Sequence, residues 1–290
     1  MATDFTEETA ADAVIESFAP ETDPRLREIL VSLVRHLHAF ARDVELTIPE
    51  WEAAIDFLTR TGQKSDDERQ EFILLSDVLG LSMLTETISN RKFGVATEST
   101  VLGPFHVVES PPRALGDNID LVGTGTPCLV TGRVVAVDGA PLPWAQLDVW
   151  QANEQGFYDV QQPGVQPRTN GRGLFTANEK GEFWFRTVVP SYYPIPTDGP
   201  VGELLQATGR HGFRPAHIHF IVTAPGYRPL TTHIFVAGSE YIESDTVFAV
   251  KKSLVVDFGE VTDETVAARY EVQVPFRQAD FDIVMQPEHA

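Results

Sequence analysis

The sequence predicts an α+β protein, with a helical N-terminal segment over residues 1–97 and an antiparallel β-sandwich over residues 98–290. Two observations predict this class. Apolar residues recur at helical spacing up to about residue 95, behind recognisable capping signals. After Asn90, glycine, proline and turn residues separate short β-branched and aromatic runs, with no long helical pattern between them.

The first helix is expected around Ala10–Phe18, in an acidic stretch rich in alanine and threonine. Asp23-Pro24 then supplies an N-cap followed by proline in the first turn. Leu26, Ile29, Leu30, Leu33, Val34, Leu37, Phe40, Ala41 and Val44 follow at the spacing of one helical face. His36 and His38 share this helix but lie far apart around it, so they read as surface or interface residues rather than a metal pair. Thr47-Ile48-Pro49-Glu50 is a capping box opening a helix that ends near Gly62. Ser65-Asp66-Asp67-Glu68 is another, opening a longer helix through Phe72, Leu75, Leu79 and Met83 to about Ser89. Strands are expected at Cys128–Val137, Ala145–Trp150, Glu182–Val189, His217–Val222, His233–Val236 and Tyr270–Val274, with one further helix near Ser244–Lys252.

Composition narrows the function. A formal charge of −20 argues against nucleic acid and anionic membrane surfaces, both of which need a basic footprint. Cys128 is the single cysteine, which rules out an internal disulfide framework and reads as a small buried apolar residue. Met1–Glu8 is acidic and lacks the charged-then-apolar order of a signal peptide, so a cytoplasmic protein is expected.

The chemistry concentrates in Arg214-Pro215-Ala216-His217-Ile218-His219-Phe220. On a strand His217 and His219 emerge on one face while Ile218 and Phe220 point into apolar packing, so two imidazoles stand side by side as half of a metal site. By itself a His-x-His pair is as well explained by satisfied polar residues on a half-buried strand. All six tyrosines fall in the β half. Tyrosine binds metals as phenolate only beside a hard, highly charged cation, a role that suits ferric iron better than zinc or magnesium. Tyr158 ends the polar stretch Trp150-Gln151-Ala152-Asn153-Glu154-Gln155-Gly156-Phe157-Tyr158. Tyr193 lies in Pro190-Ser191-Tyr192-Tyr193-Pro194-Ile195-Pro196, where prolines restrict the backbone.

Taken in order, Trp-Gln-Ala-Asn with the following Gly-Phe-Tyr, then Tyr-Pro-Ile-Pro-Thr-Asp-Gly-Pro-Val-Gly, then Arg-Pro-Ala-His-Ile-His-Phe, this chain resembles the intradiol ring-cleaving dioxygenases over about residues 25–275. The resemblance implies one non-heme Fe(III) per chain, held by Tyr158, Tyr193, His217 and His219. Tyr193 and His219 would be axial, and Tyr158 and His217 equatorial beside a hydroxide. It also implies that Tyr193 leaves the metal when an aromatic diol binds, that dioxygen attacks the activated ring, and that Arg214 stabilises charge on it. Pocket positions implied in the same way are Leu74, Asp77, Val101, Leu102, Gly103, Pro104, Phe105, Ile195, Pro196, His233 and Val247. Relatives dimerise through their N-terminal helices, sometimes around phospholipid, and the Leu26–Val44 stripe is compatible with that.

Leu-Leu-Ser-Asp ending at Asp77, Val-Leu-Gly-Pro-Phe ending at Phe105 and Thr-Thr-His-Ile-Phe around His233 are similar to hydroxyquinol 1,2-dioxygenases in particular. A carboxylate at position 77, where catechol-cleaving relatives carry proline, can pair with a third ring hydroxyl. His233 replaces a glutamine typical of those relatives and is expected beside the metal rather than on it. The expected substrate is therefore benzene-1,2,4-triol, with catechol or chlorocatechol as the alternative. From other classes, the alternatives are a non-catalytic sandwich module that binds carbohydrate or protein, its His-x-His incidental, and a zinc hydrolase on His217 and His219, which would want an acidic third ligand and leaves the tyrosine motifs unexplained.

Overall fold

The computed structural model describes residues 5–66, 69–91, 94–106 and 109–288. Two compact units divide the chain, Met1–Arg60 and Thr61–Ala290. In the first, α1 spans Ala10–Glu16 and α2 spans Pro24–Asp43, and α3, Ile48–Lys64, begins there. The Asp23 carboxylate accepts the Leu26 amide at 2.8 Å and Pro24 opens α2, as the capping signal predicts. Glu50 accepts the Thr47 amide at 2.9 Å and so caps α3. Leu26, Ile29, Leu33, Leu37 and Phe40 are all about half exposed, so the apolar face of α2 stays largely uncovered.

The second unit begins with the end of α3 and two short helices, α4 at Glu71–Val78 and α5 at Leu81–Ser89. A single helix was expected here; Gly80, with φ of +74°, breaks it, and the two pieces meet at 80°. The capping signal at Ser65–Glu68 falls partly outside the described residues; α4 starts later, where the Glu71 amide donates to Ser65 Oγ at 3.2 Å. No single helix among the described residues is long and apolar enough to cross a membrane.

The strands are β1 Pro127–Ala136, β2 Gln146–Gln151, β3 Arg172–Thr176, β4 Glu182–Val188, β5 Tyr193–Pro194, β6 Phe213–Arg214, β7 His217–Thr223, β8 Leu230–Val236, β9 Val255–Val256, β10 Gly259–Val261, β11 Phe276–Asp280 and β12 Ile283–Met285. Two five-stranded sheets form: β10-β11-β1-β12 with β4 on the other edge of β1, and β3-β2-β7-β8-β9. A two-stranded ribbon joins β5 to β6. The sheets are mixed rather than purely antiparallel, because β11 and β12 run parallel to β1 and β9 runs parallel to β8. Long connections permit this: the chain from 237 to 254 carries β8 round to β9, where a tight hairpin would force antiparallel pairing.

Between the sheets Val130, Val134, Phe183 and Phe185 from one side pack with Leu147, Val149, Ile218, Phe220, Val222 and Ile234 from the other. Cys128 belongs to this core, and burial pushes its thiol up to about 12. Alternation then dictates that the odd-numbered residues of β7, His217 and His219, face away from the sandwich core.

Two expected elements do not form. Tyr270 ends a short helix, α7 at Glu264–Tyr270, and Glu271 turns the chain at φ of +54°, so no strand covers Tyr270–Val274. Over Ser244–Lys252 there is a loop instead of a helix. Asp245 folds its carboxylate back onto the amides of Val247 and Ala249 at 3.3 and 3.0 Å, and Phe248 takes φ of +60°. The helix α6, Pro200–Ala207, appears in the proline-rich segment after Tyr193, with Pro200 in its first turn.

Candidate metal centre

Strand pairing builds the site as a row. Arg172 of β3 lies opposite Trp150 of β2, Trp150 opposite His219 of β7, and His219 opposite His233 of β8. All four are essentially without solvent exposure. The Trp150 indole lies flat on the His219 ring, with centroids 4.5 Å apart and planes 12° apart, and the His233 ring stands perpendicular to His219 at 4.1 Å. Tyr158 enters from the end of the 152–158 loop, before a 3-10 turn at Asp159–Gln161, and Tyr193 enters from β5.

Four donor atoms converge. Tyr158 Oη is 2.8 Å from His219 Nε2 and 3.4 Å from Tyr193 Oη. His217 Nε2 is 3.1 Å from His219 Nε2. The remaining nitrogen of His217, Nδ1, lies 2.7 Å from the Pro215 carbonyl, which can only accept, so that nitrogen carries the proton and Nε2 keeps its lone pair. Arg214 Nη1 completes the group at 3.4 Å from both Tyr193 Oη and His217 Nε2.

Burial sets the charge states. It holds His217, His219 and His233 well below the usual imidazole range, helped by the Arg214 guanidinium beside His217 and by neighbouring imidazoles beside His219. These rings are neutral, the form that binds a metal. Burial likewise drives the Tyr158 phenol well above its ordinary value, with Tyr193 adding to the rise and Arg214 and Arg172 opposing it. Burial also opposes the charge on Arg214, but Asp245 and Tyr193 outweigh it and leave its pKa raised. A phenol whose charged form is disfavoured by burial, as Tyr158 is, serves as an anionic oxygen donor beside a hard, highly charged cation. A ferric ion fits that donor set, whereas zinc sites are built from thiolates, imidazoles and carboxylates. His233 extends the imidazole group to three, with donor atoms within 4.8 Å of one another, and neither of its ring nitrogens has a hydrogen-bond partner among the described residues.

Around this centre several of the expected pocket residues meet. Leu74, Ile195 and Val247 share one apolar cluster, with Val101 packed against it. The Phe105 ring stacks on Tyr158 at 4.5 Å and meets Tyr193 edge-on at 6.0 Å. A side chain at Gly103, whose φ is +77°, would approach His219 Cε1 to 3.3 Å, so the loop backbone lies against that ring. Asp77 is buried; desolvation raises its carboxyl, while Ser82 and Arg214 pull it down and Asp245 adds to the rise. Leu102 and Pro104 are exposed and Pro196 is half-buried.

The N-terminal part, residues 23–97, matches the family model described as the catechol dioxygenase N terminus, and residues 110–287 match the dioxygenase model. The chain belongs to the intradiol ring-cleavage dioxygenases. A hydroxyquinol 1,2-dioxygenase of Rhizobium sp. is 53% identical over 89% of this dioxygenase and 88% of its own length. A 6-chlorohydroxyquinol 1,2-dioxygenase of Cupriavidus pinatubonensis is 49% identical over 98% and 99% of the two chains. Among solved structures, a hydroxyquinol 1,2-dioxygenase of Pseudomonas putida superposes with a TM-score of 0.92 at 48% identity, covering 97% of this chain and 99% of that one.

Sequence reasoning missed three residues of this dioxygenase's site. Trp150 ends an expected strand with nothing local to mark a role, yet its indole is the floor under His219. Asp245 lies in the segment expected to be helical and binds Arg214 through Nε at 3.2 Å and Nη2 at 3.4 Å. Arg172 lies on β3, a strand whose glycine-flanked sequence gives no periodic signal.

Proposed function

We propose that this dioxygenase opens the ring of hydroxyquinol, benzene-1,2,4-triol, between its adjacent hydroxyls, with Fe(III) and dioxygen, giving 3-hydroxy-cis,cis-muconate and its tautomer maleylacetate. What carries this function is the convergence of Tyr158 Oη, Tyr193 Oη, His217 Nε2 and His219 Nε2, the four atoms proposed to hold the ion. Bound there, ferric iron would supply Lewis acidity toward the two diol oxygens and a template that fixes the ring.

The protein's own groups supply the rest. Tyr193 Oη, beside the fixed positive charge of Arg214, is placed to take a proton from the arriving diol. Arg214, bound through Nε and Nη2 to Asp245, turns Nη1 toward the reacting ring, where negative charge develops. Leu74, Ile195, Val247 and Phe105 line an apolar wall that excludes water. Asp77 receives the third hydroxyl of the substrate, as an acceptor when ionised and as a donor when protonated. The high identity to hydroxyquinol enzymes supports the same substrate.

A panel of diols tests this directly. Hydroxyquinol is expected to give the highest kcat/KM, and Asp77→Asn, which keeps shape but alters the hydrogen bonding, is expected to cut the hydroxyquinol-to-catechol ratio about 10-fold or more, as for a site left with an unmatched polar group. Preference for catechol in the unmodified enzyme would reject the substrate; an unchanged ratio in the variant would make Asp77 structural.

The helical segment, residues 1–97, is proposed to dimerise ahead of a catalytic part at 98–290. Support comes from the half-exposed α2 stripe, which offers a second copy an apolar face, with phospholipid chains as its proposed filling.

A further inference from the structure

The two phenols of the proposed iron site are held very differently. Tyr193 stands on a two-residue strand next to Pro194, and its hydroxyl meets the Tyr158 hydroxyl and Arg214 Nη1 only at 3.4 Å. Tyr158 is fixed on several sides. Its amide donates to Gln161 Oε1 at 2.9 Å, and Phe105 covers its ring at 4.5 Å with planes 24° apart. Next in the chain comes Asp159, whose Oδ1 accepts Arg172 Nε at 2.8 Å, in an ion pair that brings Nη2 to 2.7 Å, and whose Oδ2 accepts the Thr169 amide at 2.9 Å. Arg172 Nη2 also donates to the Phe105 carbonyl at 2.8 Å. One guanidinium therefore ties down both the residue after Tyr158 and the residue whose ring lies on Tyr158.

A purely structural purpose explains this poorly. Arg172 is wholly buried and its Nη1 has no hydrogen-bond partner among the described residues, and a buried ion pair typically stabilises a fold no better than apolar residues of the same volume. What apolar residues cannot do is bridge two separate segments with the flat fork of a guanidinium.

Accepting the iron site proposed above, we infer that Arg172 is the positioning residue for Tyr158: through Asp159 and the Phe105 carbonyl it clamps the direction of that phenol. Arg172 touches neither metal nor substrate in this role. It sets the direction of an oxygen that does.

The test uses the iron-loaded full chain and its Arg172→Gln, Arg172→Lys and Asp159→Asn variants. Three quantities are measured: the visible phenolate-to-iron absorption, the rate at which a chelator removes iron, and kcat and KM separately. Folded Arg172→Gln is expected to show a shifted, weakened band and about 10-fold faster iron loss, the size typical of removing a group that orients a metal ligand. Its kcat should fall by a similar factor with KM little changed. Arg172→Lys, which keeps the charge but not the fork, should recover part of the band. A band and iron-loss rate equal to those of the unmodified enzyme, with only a lower melting temperature, would overturn the inference. If Arg172→Gln does not fold, Asp159→Asn decides by the same readings. No phenolate band in the unmodified, iron-loaded enzyme would instead overturn the iron site and the clamp with it.

Discussion

Tyr158→Phe is expected to give a folded protein that retains little iron and cleaves its diol at least about 10³-fold more slowly. The ring volume is preserved, so the stacks with Phe105 and Tyr193 survive, and the hydroxyl lost makes no bond on which a sheet depends. What disappears is one of two proposed anionic oxygens. A Lewis-acidic metal contributes several kcal/mol to such a reaction, and about 4 kcal/mol corresponds to about 10³ in rate. Iron content by elemental analysis and turnover of hydroxyquinol check both halves. A variant that keeps its iron and most of its rate would remove Tyr158 from the site.

The second large effect is expected at Arg214. Its side chain is buried and two of its three nitrogens are bound to Asp245, leaving Nη1 turned toward Tyr193 Oη and His217 Nε2. Arg214→Gln should lower kcat by about 10²–10³, the usual loss when one fixed donor to a developing charge is removed. Arg214→Lys should rescue little, because an ammonium cannot bind Asp245 with two nitrogens and still present a third. Removing the guanidinium also strands the Asp245 carboxylate in a dry site, a loss of about 3–5 kcal/mol of stability for a broken buried pair. The double variant Arg214→Gln with Asp245→Asn separates the two effects. Stability should return while kcat stays low; recovery of both would mean that Arg214 acts only by holding the 245–249 loop.

The segments that carry the four converging donor atoms were legible in the sequence because each lies in a local pattern. Two histidines two apart on a β-branched run share a face whatever the tertiary structure, and the prolines around Tyr193 and the glycine before Tyr158 mark constrained turns. The N-terminal helices announced themselves by caps, and Asp23 and Glu50 make the predicted bonds. What stayed hidden depends on distant partners. Nothing near Arg172 tells that β3 lies beside β2 in register with Trp150, and only that register carries Arg172 into the row with His219 and His233. The helix expected at Ser244–Lys252 failed partly for a similar reason: the Asp245 carboxylate that folds back on the amides of Val247 and Ala249 also binds Arg214, 31 residues away. Gly80 was visible, but a glycine inside a helical pattern can be a break or merely a weak point, and the sequence alone does not choose.

Resonance Raman spectroscopy of the iron-loaded protein, excited in its visible band, tests the two-phenol ferric centre most directly. Strong tyrosine ring vibrations in the unmodified enzyme, altered in Tyr158→Phe and in Tyr193→Phe alike, are the expected result. Iron bound with no enhanced tyrosine vibrations, or a spectrum indifferent to both substitutions, would contradict it.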